Sequence, residues 1–290
     1  MTVSSIEPRP APPVAPAPAA SAVPVPATPA APCTRAHARL GEAFPTLRVH
    51  HGPPRSGDGW VSGAQLLHDP AGLRELIDFD VRDGLDRYGT LLRPDVAAGF
   101  CLHRYCWPVG LLFTLPWLLE RRVPLLPAEA LSLRRATGAL TADLGAFFCL
   151  PQDPAAGLPG ALVVADEAAL RERLLTALTE HFTPVLALFR PQVRRGPRTL
   201  WACVTDAVVE GLWQVSALLG EEERAVGALR ALLPEHAGAR TAPFLPGTGF
   251  RFEECDGSAP VRTRTRAGCC LLYTVRPADA CTGCPRIARG

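Results

Sequence analysis

Leu200-Trp201-Ala202-Cys203-Val204-Thr205-Asp206-Ala207-Val208-Val209-Glu210-Gly211-Leu212-Trp213-Gln214-Val215-Ser216-Ala217-Leu218-Leu219 is the stretch that decides the fold class. Its apolar residues Leu200, Val204, Val208, Leu212, Val215 and Leu219 recur at helical spacing and line one side of a helix over 199–219. Gly220 follows where a left-handed residue ends a helix. Downstream, residues 221–233 predict another helix, with three Glu in the first turn, where the dipole favours them, and Pro234 as the stop. Upstream, Leu170, Leu174, Leu178 and Phe182 mark a helix over 167–182 behind an Asp166 N-cap. Ala161 to Ala165 predicts a buried strand, residues 128–148 a helix despite Gly138 and Gly145, and residues 64–95 a helix or two. Tyr105 to Leu119 is uncharged but only 15 residues long, holds Pro108 and Pro116, and reads as a buried strand and loop rather than a bilayer span. Residues 33–63 read as irregular.

The character changes near residue 244. Phe250-Arg251-Phe252-Glu253 and Val261 to Arg266 alternate with period two, Leu271 to Val275 is β-prone, and Asp256-Gly257 and Ala267-Gly268 supply turns. The expected fold class is α+β, predominantly α-helical. The expected division is a Pro/Ala-rich disordered tail over 1–32, a mostly helical body over 33–243, and a small β-containing segment over 244–290. The tail holds 10 of the 31 Pro and only two charges, Glu7 and Arg9, so it cannot bury enough surface to fold.

All 30 basic residues are Arg, which removes the phosphate-loop lysine, the Schiff-base lysine and the Ser-x-x-Lys nucleophile pair. A net charge of +2 and a pI near 8.1 do not suggest a nucleic-acid binder. The charge is unevenly spread, however. Residues 258–290 carry six Arg against one acid, and the other 257 carry 24 Arg against 27 acids. No secretory leader or transmembrane segment is evident, so a cytoplasmic location, or one at the inner face of the cell membrane, is expected. There thiols act as ligands or buried hydrophobes rather than disulfides.

Four of the ten cysteines lie in the last 22 residues, as Cys269-Cys270, ten residues, Cys281, two residues, Cys284. A disulfide pair fits poorly with a leaderless chain. Structural zinc suits Cys281-Thr282-Gly283-Cys284, whose spacing lets two sulfurs face one ion. The vicinal pair suits it less, because adjacent side chains on an extended strand point apart. A [2Fe–2S] cluster also takes four thiolates and spreads them over a larger core. Spacing alone leaves iron–sulfur and zinc both open.

The pattern Cys-Cys-x₁₀-Cys-x₂-Cys near the C-terminus, with Leu271, Tyr273 and Pro285, resembles the FhuF family of ferric siderophore reductases. The resemblance implies a [2Fe–2S] cluster held by Cys269, Cys270, Cys281 and Cys284, and a ferric siderophore, of hydroxamate type, as substrate. The chain departs from the family in placing Thr274 and Val275 before Arg276, and in having Arg286 where an apolar residue is usual. No dinucleotide, serine-hydrolase or zinc-protease motif is present, so the electrons are expected from a protein donor such as a ferredoxin or a flavin reductase. Arg262, Arg264 and Arg266 alternate on one strand face. They are either a solvated face or, with Tyr273 and Arg276, a surface that offsets the cluster's charge or docks substrate or donor. The alternatives are a non-reductive siderophore-binding protein, related to the helical end of siderophore synthetases, with a structural zinc or cluster, and a zinc-stabilised interaction protein.

Of the remaining cysteines, Cys149 and Cys203 read as buried hydrophobes in helices, and Cys101-x₄-Cys106 with His103 as half a metal site lacking its second half. Cys255 is near enough in sequence to serve as a spare ligand or a thiol supporting the ligand set, but four cysteines already fill that set. His50 and His51 are placed on a loop surface.

Overall fold

The computed structural model describes residues 32–236, 240–255, 258–277, 281 and 283–286. The tail expected over 1–32 lies, but for Pro32, outside the described residues, as does the side chain of Cys255. Residues 31–290 form one compact unit of α+β class, mainly helical.

The chain begins with α1 (Thr34–Ala43), β1 (Arg48–His51) and β2 (Trp60–Ser62), so the region expected to be irregular is structured. Ser62 then caps α2 (Gly63–His68) in a reciprocal box with Gln65. Asp69 caps α3 (Pro70–Tyr88), accepting from Ala71 N at 2.8 Å with Pro70 in the first turn. The segment expected to be strand and loop is instead the centre of α4 (Pro94–Glu120), 27 residues long. It meets the length and composition of a bilayer span, yet 72% of its most apolar window is buried among the other elements. α1, α3 and, further along the chain, α5 (Glu167–Val193) and α6 (Pro197–Leu218) surround α4. A helix covered on all sides shows no apolar stripe, which is why periodicity did not reveal it. Pro116 removes the N–H that Leu112 O would accept, and His37 Nε2 donates to that carbonyl at 3.0 Å instead.

Residues 128–148, expected to be helical, form sheet. β3 (Arg122–Leu125) precedes a 3₁₀ turn (Ala128–Ala130), and β4 (Leu131–Arg134), β5 (Ala139–Ala142) and β6 (Ala146–Cys149) follow. Gly138, at φ +67°, makes the β4–β5 turn, where a Cβ would stand 2.3 Å from Thr46 O. Leu131, Leu133 and Leu140 alternate rather than recur at helical spacing. One sheet runs β1-β5-β4-β2, with β1 parallel to β5. A second runs β3-β6-β7, where β7 (Ala161–Val163) is an edge strand and its Leu162 and Val163 are exposed, not buried.

The helices after it follow the sequence closely. Asp166 caps α5 through Ala169 N at 2.8 Å, and Leu170, Leu174, Leu178 and Phe182 are buried. The helix runs on through Pro184 to Val193. In α6 the expected face is buried against α4, and α7 (Glu222–Leu232) ends before Pro234. A two-stranded antiparallel ribbon, β8 (Phe250–Cys255) and β9 (Ser258–Arg264), leads to the C-terminal segment. Leu272–Thr274 is a 3₁₀ turn rather than the expected strand.

His181 and His37 give the fold an acid limit. His181 is fully buried, with Nδ1 donating to Leu126 O at 2.7 Å, so that in the neutral ring Nε2 accepts from Tyr105 Oη at 2.9 Å. Burial lowers both rings to about 4. Between pH 6.5 and 4 the unfolded chain therefore binds more protons than the folded one, so stability falls as pH falls through that window. Denaturant titrations from pH 7 to 4 should show this loss, of order 3 kcal/mol per ring at full extent. The slope should be shallower in His181→Gln.

Candidate metal centre

The C-terminal cysteines are reached through a buried ionic anchor on α6. Asp206 and Glu210 lie one turn apart on that helix and face β9 and the loop after it. Arg264 donates from Nη2 to Asp206 Oδ1 at 2.7 Å, and its Nη1 lies 3.0 Å from Glu210 Oε1. Arg266 Nε stands 3.3 Å from Glu210 Oε1 and 3.8 Å from Asp206 Oδ2. Asp206 also accepts the backbone N–H groups of Ala267, at 2.8 Å, and Gly268, at 2.7 Å. Those are the two residues immediately before Cys269, so one carboxylate fixes the entry to the vicinal pair. All four charged residues are at most 9% exposed, the setting in which an uncompensated charge is most costly.

Beyond the anchor, Cys270 Sγ and Cys281 Sγ approach to 3.3 Å. Cys281 and Cys284 share a tight turn, with Cys284 N donating to Cys281 O at 3.1 Å. Gly283, at φ +71°, lies against β9, where its carbonyl accepts from Arg266 N at 2.9 Å. A Cβ on Gly283 would stand 2.1 Å from Arg264 O, so only glycine lets the turn seat there. Cys284 is buried, the other three cysteines are half-exposed, and none of the four is in a disulfide. Burial and the hydrogen bond to Cys270 push Cys281 up to about 12, with the Arg266 guanidinium opposing them. Burial alone would lower Arg266, but Glu210, Asp206 and then Cys270 and Cys281 hold it raised. Ligation of Cys281 therefore releases a proton and leaves a negative charge facing Arg266.

A donor set of four thiols at the rim of the molecule, with two sulfurs in contact and a glycine-only turn beneath them, fits an iron–sulfur cluster. Among the described residues no group of three or more His, Cys, Asp or Glu side chains is gathered closely enough to hold a metal ion as it stands. Four-thiolate ligation thus requires the two cysteine loops to close further around the Cys270–Cys281 pair. Fold and site together define a mainly helical α+β protein ending in a cysteine-rich metal segment. That segment, residues 266–286, matches the family model of the FhuF 2Fe-2S C-terminal domain, and the chain carries a [2Fe–2S]-binding domain there. No curated protein matches the chain.

The expected arginine stripe is not a solvated face: Arg264 and Arg266 are buried, and Arg266 also faces the sulfurs of Cys270 and Cys281. Arg262 pairs with Glu222 and Glu223 of α7, at 3.1 and 2.8 Å, and Arg264 and Arg266 are buried on Asp206 and Glu210. Their charges are met within the molecule. Tyr273 accepts from Arg286 Nη1 at 2.7 Å, and the Arg286 guanidinium lies 4.2 Å from its ring centroid. Arg276 stacks over Tyr88 at 5.7 Å. Asp206 and Glu210 were missed because both sit inside an apolar run. Two acids at i, i+4 on a helix otherwise made for burial were the available signal.

The other thiols also differ from expectation. Cys149 is buried, but on strand β6 rather than in a helix. Cys203 is half-buried and hydrogen-bonds to Cys106 and to His103, which together hold its thiol below the usual range against the opposing effect of burial. Cys101 and Cys106 are both buried, and among the described residues no group of three or more ligand side chains gathers there. His51 lies on β1 and stacks on His37 at 5.1 Å rather than on a loop surface.

Proposed function

We propose that the chain is a ferric siderophore reductase, in which Cys269, Cys270, Cys281 and Cys284 hold a [2Fe–2S] cluster beside a substrate-sized cavity. The observation that carries this reading is the match of residues 266–286 to the FhuF 2Fe-2S C-terminal domain, on a segment where three of the four cysteines are half-exposed. A cluster bound there supplies single electrons. Siderophores present hard oxygen donors, which suit Fe(III) far better than Fe(II), so one added electron loosens the metal. No proton transfer or nucleophile is needed for that.

The chain's own residues do the positioning. Asp206 holds the loop that enters Cys269-Cys270, and Gly283 seats the Cys281–Cys284 turn. Arg266 sets a fixed positive charge against the thiolates, which favours the reduced, more negative state and raises the midpoint potential. Electrons come from a separate protein donor, a ferredoxin or a flavin reductase, in a cytoplasmic setting that keeps thiols reduced. In the test, dithionite-reduced protein freed of excess reductant is mixed anaerobically with a ferric hydroxamate and an Fe(II) chromophore. Reoxidation with one Fe(II) captured per cluster is expected. Protein that stays reduced and yields no Fe(II) would favour a binding protein with a structural cluster.

A further inference from the structure

A cavity of about 490 Å³ opens beside Cys269, within the range of about 300–1,000 Å³ typical of small-molecule sites. Both cysteine-bearing loops wall it, through Cys269 on one side and Pro285 and Arg286 on the other, while Arg198 and Thr199 of α6 and Leu245 complete it. An outside molecule lodged there lies against a ligand-bearing loop. Two of its wall residues are exposed guanidinium groups. Among the described residues neither Arg198 nor Arg286 meets a carboxylate, in contrast to Arg262, Arg264 and Arg266, each paired with acids. Arg286 is nonetheless held in place, by its contacts with Tyr273.

Charge then decides what fits. Four thiolates make this corner of the molecule negative once ligated, so an anionic chelate would be repelled unless cations stand at the cavity wall. Two guanidinium groups without carboxylates are surplus for a neutral chelate and repel a cationic one. Building on the reductase reading, we infer that this cavity is the seat of the ferric chelate, and that Arg198 and Arg286 select chelates of net negative charge, such as those whose iron-binding arms carry pendant carboxylates.

The test uses the cluster-loaded full chain and redox-silent Ga(III) complexes of one tris-hydroxamate scaffold bearing either pendant carboxylates or pendant ammonium groups. Calorimetry should show the anionic complex binding about tenfold more tightly, the gain expected of two exposed ion pairs, and weakening as salt is added. In Arg198→Gln/Arg286→Gln, with an unchanged visible spectrum, the preference should fall to about twofold or less. Equal binding of the two complexes, or a preference that survives the double substitution, overturns the assignment. So does a double variant that binds chelates normally but is reduced slowly by an acidic protein donor, because the cavity would then be the donor's site. Charge-selective Ga(III) binding in a protein that reduces no ferric chelate would uphold this inference and remove the reductase reading. Reduction without charge selectivity would do the reverse.

Discussion

Asp206→Asn is expected to destabilise the protein by about 3–5 kcal/mol, the cost of leaving two buried guanidinium groups to share the single carboxylate of Glu210. Folded proteins of this kind have only about 5–15 kcal/mol in all. The substitution removes the charge opposite Arg264 and Arg266 and weakens the acceptors of the Ala267 and Gly268 N–H groups. Damage should therefore extend to the cysteine segment, and iron content should fall along with the denaturation midpoint. Adding Arg264→Gln should recover part of the stability, since the second change leaves one guanidinium, Arg266, to one carboxylate, Glu210. A single variant within about 1 kcal/mol of the parent, with full iron, would show that the anchor is dispensable.

Replacing a thiol in the sulfur pair should have the largest effect on the metal centre. Cys270→Ala or Cys281→Ala breaks the sulfur–sulfur contact that joins the two cysteine loops. Iron content should drop to near zero, and visible absorption should vanish. Far-ultraviolet circular dichroism should change little, because neither Cys270 nor Cys281 belongs to the hydrophobic clusters built on α4. Cys149→Ala is the control. It removes a buried sulfur from β6 and should cost stability, on the order of 1–2 kcal/mol, without loss of iron. Full iron content in Cys281→Ala would move the ligand set away from the four C-terminal cysteines.

How much of this was legible in the sequence depended on whether a residue's environment is written in its neighbours. α5 and α7 each bury one stripe, and α6, buried on every side from Val204 to Leu212, keeps an apolar stripe at helical spacing; spacing, caps and stops gave all three away. α4 buries all its faces, so its sequence carried composition but no period, and its two prolines misled. The 128–148 strands are short, and their alternation was outweighed by Ala and Leu, although two glycines in one stretch argue against a helix at about 1 kcal/mol each. The four metal cysteines stood out because they are close in sequence. The anchor did not, because Asp206 and Arg264 lie 58 residues apart and only the fold joins them. The arginine stripe shows the same limit from the other side. Its alternation was visible, but the carboxylates of α6 and α7 that take up its charge were not.

The central claim is that the chain ends in a functional [2Fe–2S] centre rather than a zinc knuckle. The most direct test is the visible spectrum and metal content of anaerobically purified full-length protein, before and after dithionite. The account predicts red-brown protein with two iron atoms per chain, whose absorption bleaches on reduction, and loss of that colour in Cys281→Ala. Colourless protein carrying one zinc and no iron would contradict it.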